Sequence, residues 1–243
     1  MNDFNVKSYL AGHKTDIKGT RRYEEHTINS SNLIARFSHR KRIEKSIEYI
    51  VPRLESGNVL DYGCGTGVVV SILNKIKPNS AYGYEPFHIE RFEKNAPVYS
   101  RYDDILQFAP YKTVIISEVL EHLSMFSIDE FLSRCNELFE GGHSIYISVP
   151  VEIGPALFMK EIHRFFTNKK PNYKLLELIK AGFFGIPAGR VTNADYYDHK
   201  GFDFRQLIRL LKSKGYTITI LGYSPLSIGT WYGNSQVFFK AEK

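Results

Sequence analysis

Apolar residues along this 243-residue chain fall into short runs separated by segments with helical spacing. The runs predict strands at Asn58–Tyr62, Ala81–Glu85, Pro97–Tyr102, Thr113–Ser117, Ser144–Val149, Tyr216–Leu221 and Ser235–Lys240. Helical spacing predicts helices from Ser30 or Ser31 to about Ile50, and at Val68–Ile76, Phe87–Lys94, Ile128–Phe139 and Phe204–Lys214. Strands that alternate with helices in this way indicate an α/β fold with a doubly wound, mostly parallel sheet.

The alternation stops between residues 151 and 200, where helical stretches rich in Phe and Lys are broken by proline and glycine. We therefore expect one domain over residues 1–243, with a helical lid at 151–200 inserted between the fifth and sixth strands. Residues 1–54 are expected to form an N-terminal arm and helix. The polar residues that begin this arm predict a loosely held segment.

Composition narrows the class of protein. No stretch approaches the roughly 18 apolar residues of a membrane-spanning helix, and the N-terminus lacks the apolar run of a secretory signal. The two cysteines, Cys64 and Cys135, do not suggest a disulfide framework, so we expect a cytoplasmic protein. The net charge of +6 favours anionic partners, but the basic residues are spread along the chain and do not favour nucleic acid.

The segment from Asp61 to Gly67 carries the strongest chemical signal. A predicted strand delivers the carboxylate of Asp61 into a loop with glycine at every second position, Gly63, Gly65 and Gly67. Glycine permits positive φ and lets the backbone approach a ligand closely. A dinucleotide-binding loop has the spacing G-x-G-x-x-G, and here the third glycine comes one residue too early. The carboxylate suits a ligand with a cationic group rather than a pyrophosphate.

Four later segments complete a recognisable order: Ala81–Pro86, Tyr102–Leu106, Val114–Leu123 and Gly141–Pro150. Together with the glycine loop they resemble the class I S-adenosylmethionine-dependent methyltransferases, from about residue 55 to residue 150. In that family an acid after the second strand binds the ribose hydroxyls, which points to Glu85. An acid after the third strand binds the adenine amino group, which points to Asp104 or its neighbour Asp103.

The resemblance implies a Rossmann-like sheet of seven strands whose last strand is antiparallel, and S-adenosyl-L-methionine as the cofactor. It implies a cofactor site made of Asp61, Gly63, Cys64, Gly65, Gly67, Glu85, Pro86, Asp104, Ile105, Ser117 and Glu118. The basic segment His39–Arg42 has two interpretations: it fixes the cofactor carboxylate, or it is a solvated helix face.

The acceptor is less constrained than the cofactor. The Asn/Asp-Pro-Pro-aromatic segment that marks many nitrogen acceptors is absent after the fourth strand, which favours an oxygen acceptor. A hydroxyl acceptor needs a base, and His122 and His199 are the candidates, with capping or packing as the alternative role for each. The segment His199–Asp203 is similar to small methyltransferases of surface polysaccharide synthesis. We therefore expect O-methylation of a small molecule, such as a sugar hydroxyl in surface glycan biosynthesis.

Two alternatives stay open. Glu118, Glu121 and His122 have the E-x-x-E-H spacing, and with His199 they resemble the metal site of small-RNA 2′-O-methyltransferases of the Hen1 type. Many relatives share this spacing without a metal, so we expect no metal. If the protein does bind a metal, we expect these four residues to be its ligands. The other alternative is a non-catalytic module that binds S-adenosylmethionine.

Residues 156–190, within the predicted lid, interleave phenylalanine with lysine and arginine. One interpretation is a lid whose aromatic residues pack on the domain and cover the acceptor. The others are a surface for anionic lipid headgroups or a lipid-linked substrate, and a surface that stacks on bases. The sequence predicts no particular oligomeric state.

Overall fold

A computed structural model describes residues 5–12, 33–87, 93–139, 141–166, 170–190, 199–226 and 229–243. The chain divides into two compact units by the density of its internal contacts. Unit 1 comprises Met1–Ser117 and Arg134–Tyr146, and unit 2 comprises Glu118–Ser133 and Ile147–Lys243.

The seven strands follow one another along the chain as the sequence predicts. The strands are β1 (Asn58–Tyr62), β2 (Ala81–Tyr84), β3 (Val98–Tyr99), β4 (Tyr111–Ser117), β5 (Ser144–Pro150), β6 (Thr217–Ser224) and β7 (Gln236–Glu242). The α-helices are α1 (Val6–Gly12), α2 (Leu33–Ile50), α3 (Val68–Ile76), α4 (Tyr102–Leu106), α5 (Met125–Leu138), α6 (Ala156–Phe166), α7 (Leu175–Phe184) and α8 (Phe204–Ser213). Short 3-10 turns lie at Val51–Ser56, Leu120–His122 and Trp231–Gly233.

The strands form a seven-stranded sheet in the order β3-β2-β1-β4-β5-β7-β6, and the last strand is antiparallel. This confirms the predicted doubly wound, Rossmann-like α/β fold. The strand order reverses between β1 and β4, which pair in parallel with Asp61 opposite Ile115. In open α/β sheets, ligands bind beyond the carboxyl ends of the strands at such a point.

The centre of the sheet is the most apolar part of the chain. In β4, Val114, Ile115 and Ile116 are at most 1% exposed. A continuous apolar run is typical of a strand covered on both faces, and here it predicted the central strand correctly. Val59 and Leu60 of the neighbouring β1 are fully buried as well.

The third strand is shorter than predicted. Only Val98 and Tyr99 pair with β2, whereas the sequence predicted a strand over Pro97–Tyr102. Tyr102 instead begins α4, whose first turn contains Asp103 and Asp104. Acidic side chains are favoured there because the helix N-terminus carries partial positive charge.

The predicted helix over Phe87–Lys94 is not found in the part of it that the structure describes. Phe87, Glu93 and Lys94 lie outside any helix, and residues 88–92 lie outside the described residues. The backbone N–H of Glu93 donates to the carbonyl of Thr66 at 2.9 Å, so this end of the segment is tied to the glycine loop instead of to a helical turn.

The beginning of the chain is more ordered than predicted. Residues 6–12 form α1, in which Leu10 is 1% exposed, and the Lys75 ammonium lies 3.9 Å from the centroid of the Tyr9 ring. Residues 1–4 and 13–32 lie outside the described residues. Burial of Leu10 holds this part of the arm, because an apolar side chain is stabilised away from water.

The insertion is helical, as predicted. Its helices α6 and α7 pack together through the buried side chains of Leu157, Tyr173 and Ala181. The rings of Phe158 and Phe183 lie 4.9 Å apart, centroid to centroid. A Cβ at Gly182 would lie 2.3 Å from Phe158 Cε2, so glycine permits the close approach of the two helices. Among the described helices, none has both the length and the apolar character needed to cross a membrane.

Candidate active site

The glycine loop leads from β1 into α3, within unit 1. Gly63, Gly65 and Gly67 have φ angles of 76°, 54° and 82°, which are accessible to glycine and strained for other residues. A Cβ at Gly67 would lie 2.8 Å from the Cβ of Ala96, so the position also has no room for a side chain. The alternating glycines are thus required by the path of the backbone.

The carboxylate of Glu85 holds this loop in place. Its Oε2 accepts a hydrogen bond from the backbone N–H of Gly65 at 2.9 Å, and its Oε1 accepts one from Phe87 at 3.1 Å. The sequence predicted Glu85 as a ligand of ribose, and the structure gives it a second role as the anchor of the loop. A carboxylate has about four acceptor positions, so these two bonds leave capacity for ribose hydroxyls.

A second acid, Asp61, lies next to Glu85 and is 3% exposed. Burial, and then the charge of Glu85, raise the pKa of Asp61 from 3.8 to about 7. Ionisation of Asp61 is disfavoured because it would place a second negative charge near that of Glu85 in a site with little access to water. A bound cation would relieve this repulsion, which is the property that the sequence predicted for a ligand of Asp61.

A cavity opens beside these groups in unit 1. It is lined by Arg42, Ile43, Ser46, Asp61, Gly63, Cys64, Thr66, Val68, Val69 and Ser117. The predicted cofactor set contributes Asp61, Gly63, Cys64 and Ser117 to this lining. The cavity therefore lies at the carboxyl ends of β1 and β4, where the strand order reverses.

Helix α2 also lines the cavity, with Arg42 from the basic segment His39–Arg42 and with Ile43 and Ser46, which the sequence did not predict. Arg42 and Ser46 are four residues apart, which puts them on one face of the helix. A guanidinium and a hydroxyl are suitable donors to a carboxylate. Helical spacing indicates the shared face, but no local pattern tells which element that face packs against.

Other members of the predicted set lie outside the lining of this cavity. Pro86 is exposed and Asp104 is half-buried. Ile105 is fully buried, and its carbonyl accepts a hydrogen bond from the hydroxyl of Tyr111 at 2.7 Å. In this structure the side chain of Ile105 belongs to the core, so an adenine contact would have to come from its backbone N–H.

The two candidate histidines lie together in unit 2. His122 Nε2 and His199 Nε2 are 3.2 Å apart, although the residues are separated by 77 positions in the chain. Oε1 of Glu121, whose side chain is fully buried, lies 4.0 Å from His122 Nε2 and 3.9 Å from His199 Nε2. The ligand-type atoms of these three residues all lie within 4.8 Å of one another.

The 3-10 turn Leu120–His122 positions two members of this cluster directly after β4. The turn follows Glu118, which has a φ of 57° and whose backbone N–H donates to the carbonyl of Ser148 at 2.9 Å. The guanidinium of Arg190 donates to the carbonyl of Glu121 at 2.7 Å. Residues 191–198, which precede His199, lie outside the described residues.

The surroundings of His199 favour its neutral form. Burial lowers the pKa of His199 below 6.5, the charge of Glu118 opposes this effect, and the charge of His122 adds to it. A neutral imidazole can accept a proton or bind a metal ion. The charge of Glu152 raises the pKa of His199, and the charge of Lys160 lowers it. The ammonium of Lys160 donates a hydrogen bond to Oε1 of Glu152 at 2.5 Å. The cluster is therefore suited either to proton transfer or to metal binding.

Comparisons with known proteins agree with this fold. The methyltransferase domain family matches residues 35–167. The ribosomal RNA small subunit methyltransferase C of Aliivibrio salmonicida (strain LFI1238) is 41% identical over 77 residues. That match covers 31% of this chain and only 21% of the relative, so the chain spans about a fifth of the length of that protein.

Solved structures show the same fold at low sequence identity. A methyltransferase from Archaeoglobus fulgidus, described as S-adenosylmethionine-dependent, gives a TM-score of 0.54 at 17% identity and covers 93% of this chain and 100% of its own. The methyltransferase domain of bacterial CtHen1-CN gives 0.52 at 14% identity, covering 83% and 97%. Magnesium protoporphyrin IX methyltransferase from Synechocystis PCC 6803, crystallised with S-adenosylmethionine, gives 0.51 at 14% identity, covering 100% and 99%.

The matched family covers more than half of the chain, including the glycine loop, Asp61, Glu85 and the segment around His122. The sheet order with its antiparallel last strand is that of the similar structures. The chain belongs to the methyltransferase domain family, and its fold is that of the S-adenosylmethionine-dependent methyltransferases to which it is similar.

Proposed function

We propose that the cavity of unit 1 binds S-adenosylmethionine, and that the protein transfers its methyl group to a hydroxyl of a small molecule such as a sugar. The observation that carries the cofactor assignment is the pair of adjacent acids beside the glycine loop. Asp61, with a raised pKa, supports binding of the methionine ammonium, and Glu85 has acceptor capacity for the ribose. When bound, S-adenosylmethionine supplies a methyl group already activated by its sulfonium.

Helix α2 completes the proposed cofactor site. The donors of Arg42 and Ser46 face the same cavity as Asp61, so the methionine carboxylate would meet basic and hydroxyl groups while the ammonium meets an acid. The carboxylate and the ammonium of the methionine part would thus each have a separate, complementary place in the cavity. This arrangement also fixes the direction in which the cofactor lies, which positions the methyl group for in-line attack.

The histidine pair supports an oxygen acceptor. His122 or His199 would remove the proton from the acceptor hydroxyl at Nε2 as the oxygen forms its bond to the methyl carbon and the carbon–sulfur bond breaks. The positive charge then passes from the sulfonium to an imidazolium, which the carboxylate of Glu121 stabilises from 3.9 to 4.0 Å. The second histidine can receive the proton across 3.2 Å and release it, because both side chains are partly exposed.

Methyl transfer from radiolabelled S-adenosylmethionine to a panel of glycans and phenols tests this function. The proposal expects a labelled ether product, loss of its formation in Asp61→Asn and in Glu85→Gln, and full activity in Glu55→Gln, whose side chain is 68% exposed. Cofactor binding without transfer to any acceptor in the panel would instead support a non-catalytic binding module. Failure to bind the cofactor at all would refute the proposed cavity.

The geometry of the histidine cluster also favours a second candidate, a metal-dependent 2′-O-methyltransferase acting on RNA. Glu121, His122 and His199 are close enough to share one ion, and carboxylate with imidazole is a ligand set found for zinc and manganese. Titration of the protein with Mn²⁺ or Zn²⁺ alone in a calorimeter separates the two candidates. Stoichiometric binding that Glu121→Gln removes, together with activity abolished by a chelator, would favour the metal-dependent reaction. Unchanged activity in the chelator would favour the histidine base.

A further inference from the structure

Nine of the seventeen large hydrophobic side chains that are exposed in the described residues lie in the 35 residues from 156 to 190. They are Met159, Ile162, Phe165, Phe166, Leu175, Leu176, Phe183, Phe184 and Ile186, each at least 50% exposed. A concentration of exposed apolar side chains in one segment often marks a site where a partner binds. Residues 156–190, called the hairpin below, therefore carry an unusual concentration of exposed apolar groups.

These exposed side chains are different from the ones that form the core of the hairpin. The core is made by other positions, Leu157, Tyr173 and Ala181, where α6 and α7 face each other. On α6 the exposed residues Met159, Ile162 and Phe166 recur at helical spacing. On α7 the exposed pairs Leu175–Leu176 and Phe183–Phe184 are about two helical turns apart. Each helix thus has a second apolar face in addition to the one that packs on its neighbour.

The same segment accounts for most of the net positive charge of the protein. It has seven basic residues against two acids, a net charge of +5, while the whole chain has +6. Both acids are engaged: Glu161 accepts a hydrogen bond from the N–H of Asn172 at 2.9 Å, and Glu177 accepts one from the Lys200 ammonium at 2.7 Å. Lys170, Lys174 and Lys180 are exposed. The apolar faces are therefore set in a positive field.

Three kinds of partner could cover such a surface, and its chemistry selects one. A second copy of this chain would bring two segments of +5 together, which is electrostatically unfavourable. Single-stranded nucleic acid binds through aromatic stacking and phosphate contacts, which would leave the aliphatic side chains Met159, Ile162, Leu175 and Leu176 without a matching surface. An anionic phospholipid surface offers acyl chains for all of the apolar residues and phosphates for the lysines.

We propose that the hairpin docks the protein on anionic phospholipid membranes, with the outer faces of α6 and α7 inserted at the boundary between headgroups and acyl chains. Docking depends on the hairpin and not on the cofactor cavity, so it stands independently of the acceptor proposed above. A membrane-docked enzyme meets acceptors that are themselves attached to lipids, and the hairpin thereby restricts which hydroxyls the protein encounters.

Flotation of the full-length protein with vesicles of phosphatidylcholine alone, or with a quarter of phosphatidylglycerol, tests the proposal. We expect binding to the anionic vesicles at low salt, weakened about tenfold or more in 0.5 M NaCl. Phe165→Ser/Phe166→Ser should weaken binding at least tenfold because two inserted rings are lost. Lys174→Gln/Lys180→Gln should weaken it about twenty-five-fold because each lysine near an anionic surface contributes about a factor of five. The control Phe126→Ser removes a phenylalanine that is 79% exposed on α5 and should leave binding unchanged.

The result must also be specific to lipid. Each variant is first shown to bind S-adenosylhomocysteine with wild-type affinity, so a lost fold is not mistaken for lost docking. No binding to either vesicle, or equal binding to both, would overturn the proposal. So would a concentration-dependent dimer in sedimentation velocity that the phenylalanine variant abolishes, or binding of a single-stranded RNA oligomer that it abolishes while vesicles remain unbound.

Discussion

Replacement of Asp61 by asparagine is expected to stabilise the cofactor-free protein. The pKa of Asp61 is about 7 in the folded protein, against an ordinary value of 3.8, because the side chain is buried beside Glu85. Between these two pH values the folded protein holds a proton that the unfolded chain has already released. The free energy of unfolding therefore falls as the pH rises from about 4 to about 7, and above that range the loss is complete.

The size of this loss follows from the pKa difference. About 3 pKa units, at 1.36 kcal/mol each, correspond to about 4 kcal/mol. Asparagine has nearly the same shape as aspartate and does not ionise, so the variant avoids the loss. We expect Asp61→Asn to be more stable than wild type by about 1–2 kcal/mol at pH 5 and about 4 kcal/mol at pH 8. In a chain of this length the difference at pH 8 corresponds to about 10 °C in Tm.

Urea denaturation at several pH values between 5 and 8 measures this difference. Groups that titrate in the same way in both proteins contribute equally to the two free energies of unfolding. The pH dependence of the difference between the two proteins is therefore due to Asp61. The matched control is Asp103→Asn, an aspartate with a 78% exposed side chain, whose replacement should change the free energy of unfolding only slightly. A stability difference for Asp61→Asn that stays constant across this range, or a wild-type protein that is the more stable one at pH 8, would refute the reasoning.

Three further predictions concern the loop, the base and the carboxylate site. Gly67→Ala, at a φ of 82° and with a Cβ 2.8 Å from that of Ala96, should lose about 3 kcal/mol or more of stability in urea denaturation, whereas Gly141→Ala, at a φ of 72° in open space, should lose about 1 kcal/mol. Replacement by glutamine of whichever of His122 and His199 is the base should lower kcat about 100-fold or more without changing the affinity for S-adenosylhomocysteine in calorimetry. If His199 is the base, its lowered pKa should place the acid limb of kcat/KM below pH 6.5. Arg42→Gln should weaken binding of S-adenosylmethionine about tenfold or more but leave decarboxylated S-adenosylmethionine unaffected, and equal losses for both ligands would contradict the assignment.

The parts of the fold that are set by local sequence were predicted well. The bounds of β1 and α3 are the predicted ones because an apolar run, three alternating glycines and an apolar helix follow one another without interruption. The third strand was predicted too long, because the prediction extended past Tyr99 through the polar Ser100 and Arg101 to Tyr102. Tyr102 instead begins α4, with two acids in its first turn. Local apolar character alone does not tell which residues of a run find a partner strand.

The residues of the candidate site also differ in whether local sequence is enough to predict them. Asp61 and the glycines could be placed from sequence because loop geometry constrains neighbours in the chain. Arg42 belonged to a basic segment for which the sequence left two interpretations open, and Ser46 was not predicted, because both positions depend on how α2 packs against residues far away in sequence. His122 and His199 were joined by resemblance to known families rather than by any local pattern, and the structure brings their Nε2 atoms to 3.2 Å.

Titration of the protein with S-adenosylhomocysteine in a calorimeter between pH 5 and pH 7 tests whether the ammonium group of the cofactor binds ionised Asp61. This ligand keeps the ammonium, carboxylate and ribose of the cofactor but has no methyl group to transfer. If the ammonium binds ionised Asp61, whose pKa is about 7 in the empty cavity, the affinity of wild type should rise more than tenfold over this range, with release of a proton. The affinity of Asp61→Asn should be weaker and independent of pH. Equal affinities for the two proteins, or a wild-type affinity that does not change with pH, would contradict the account.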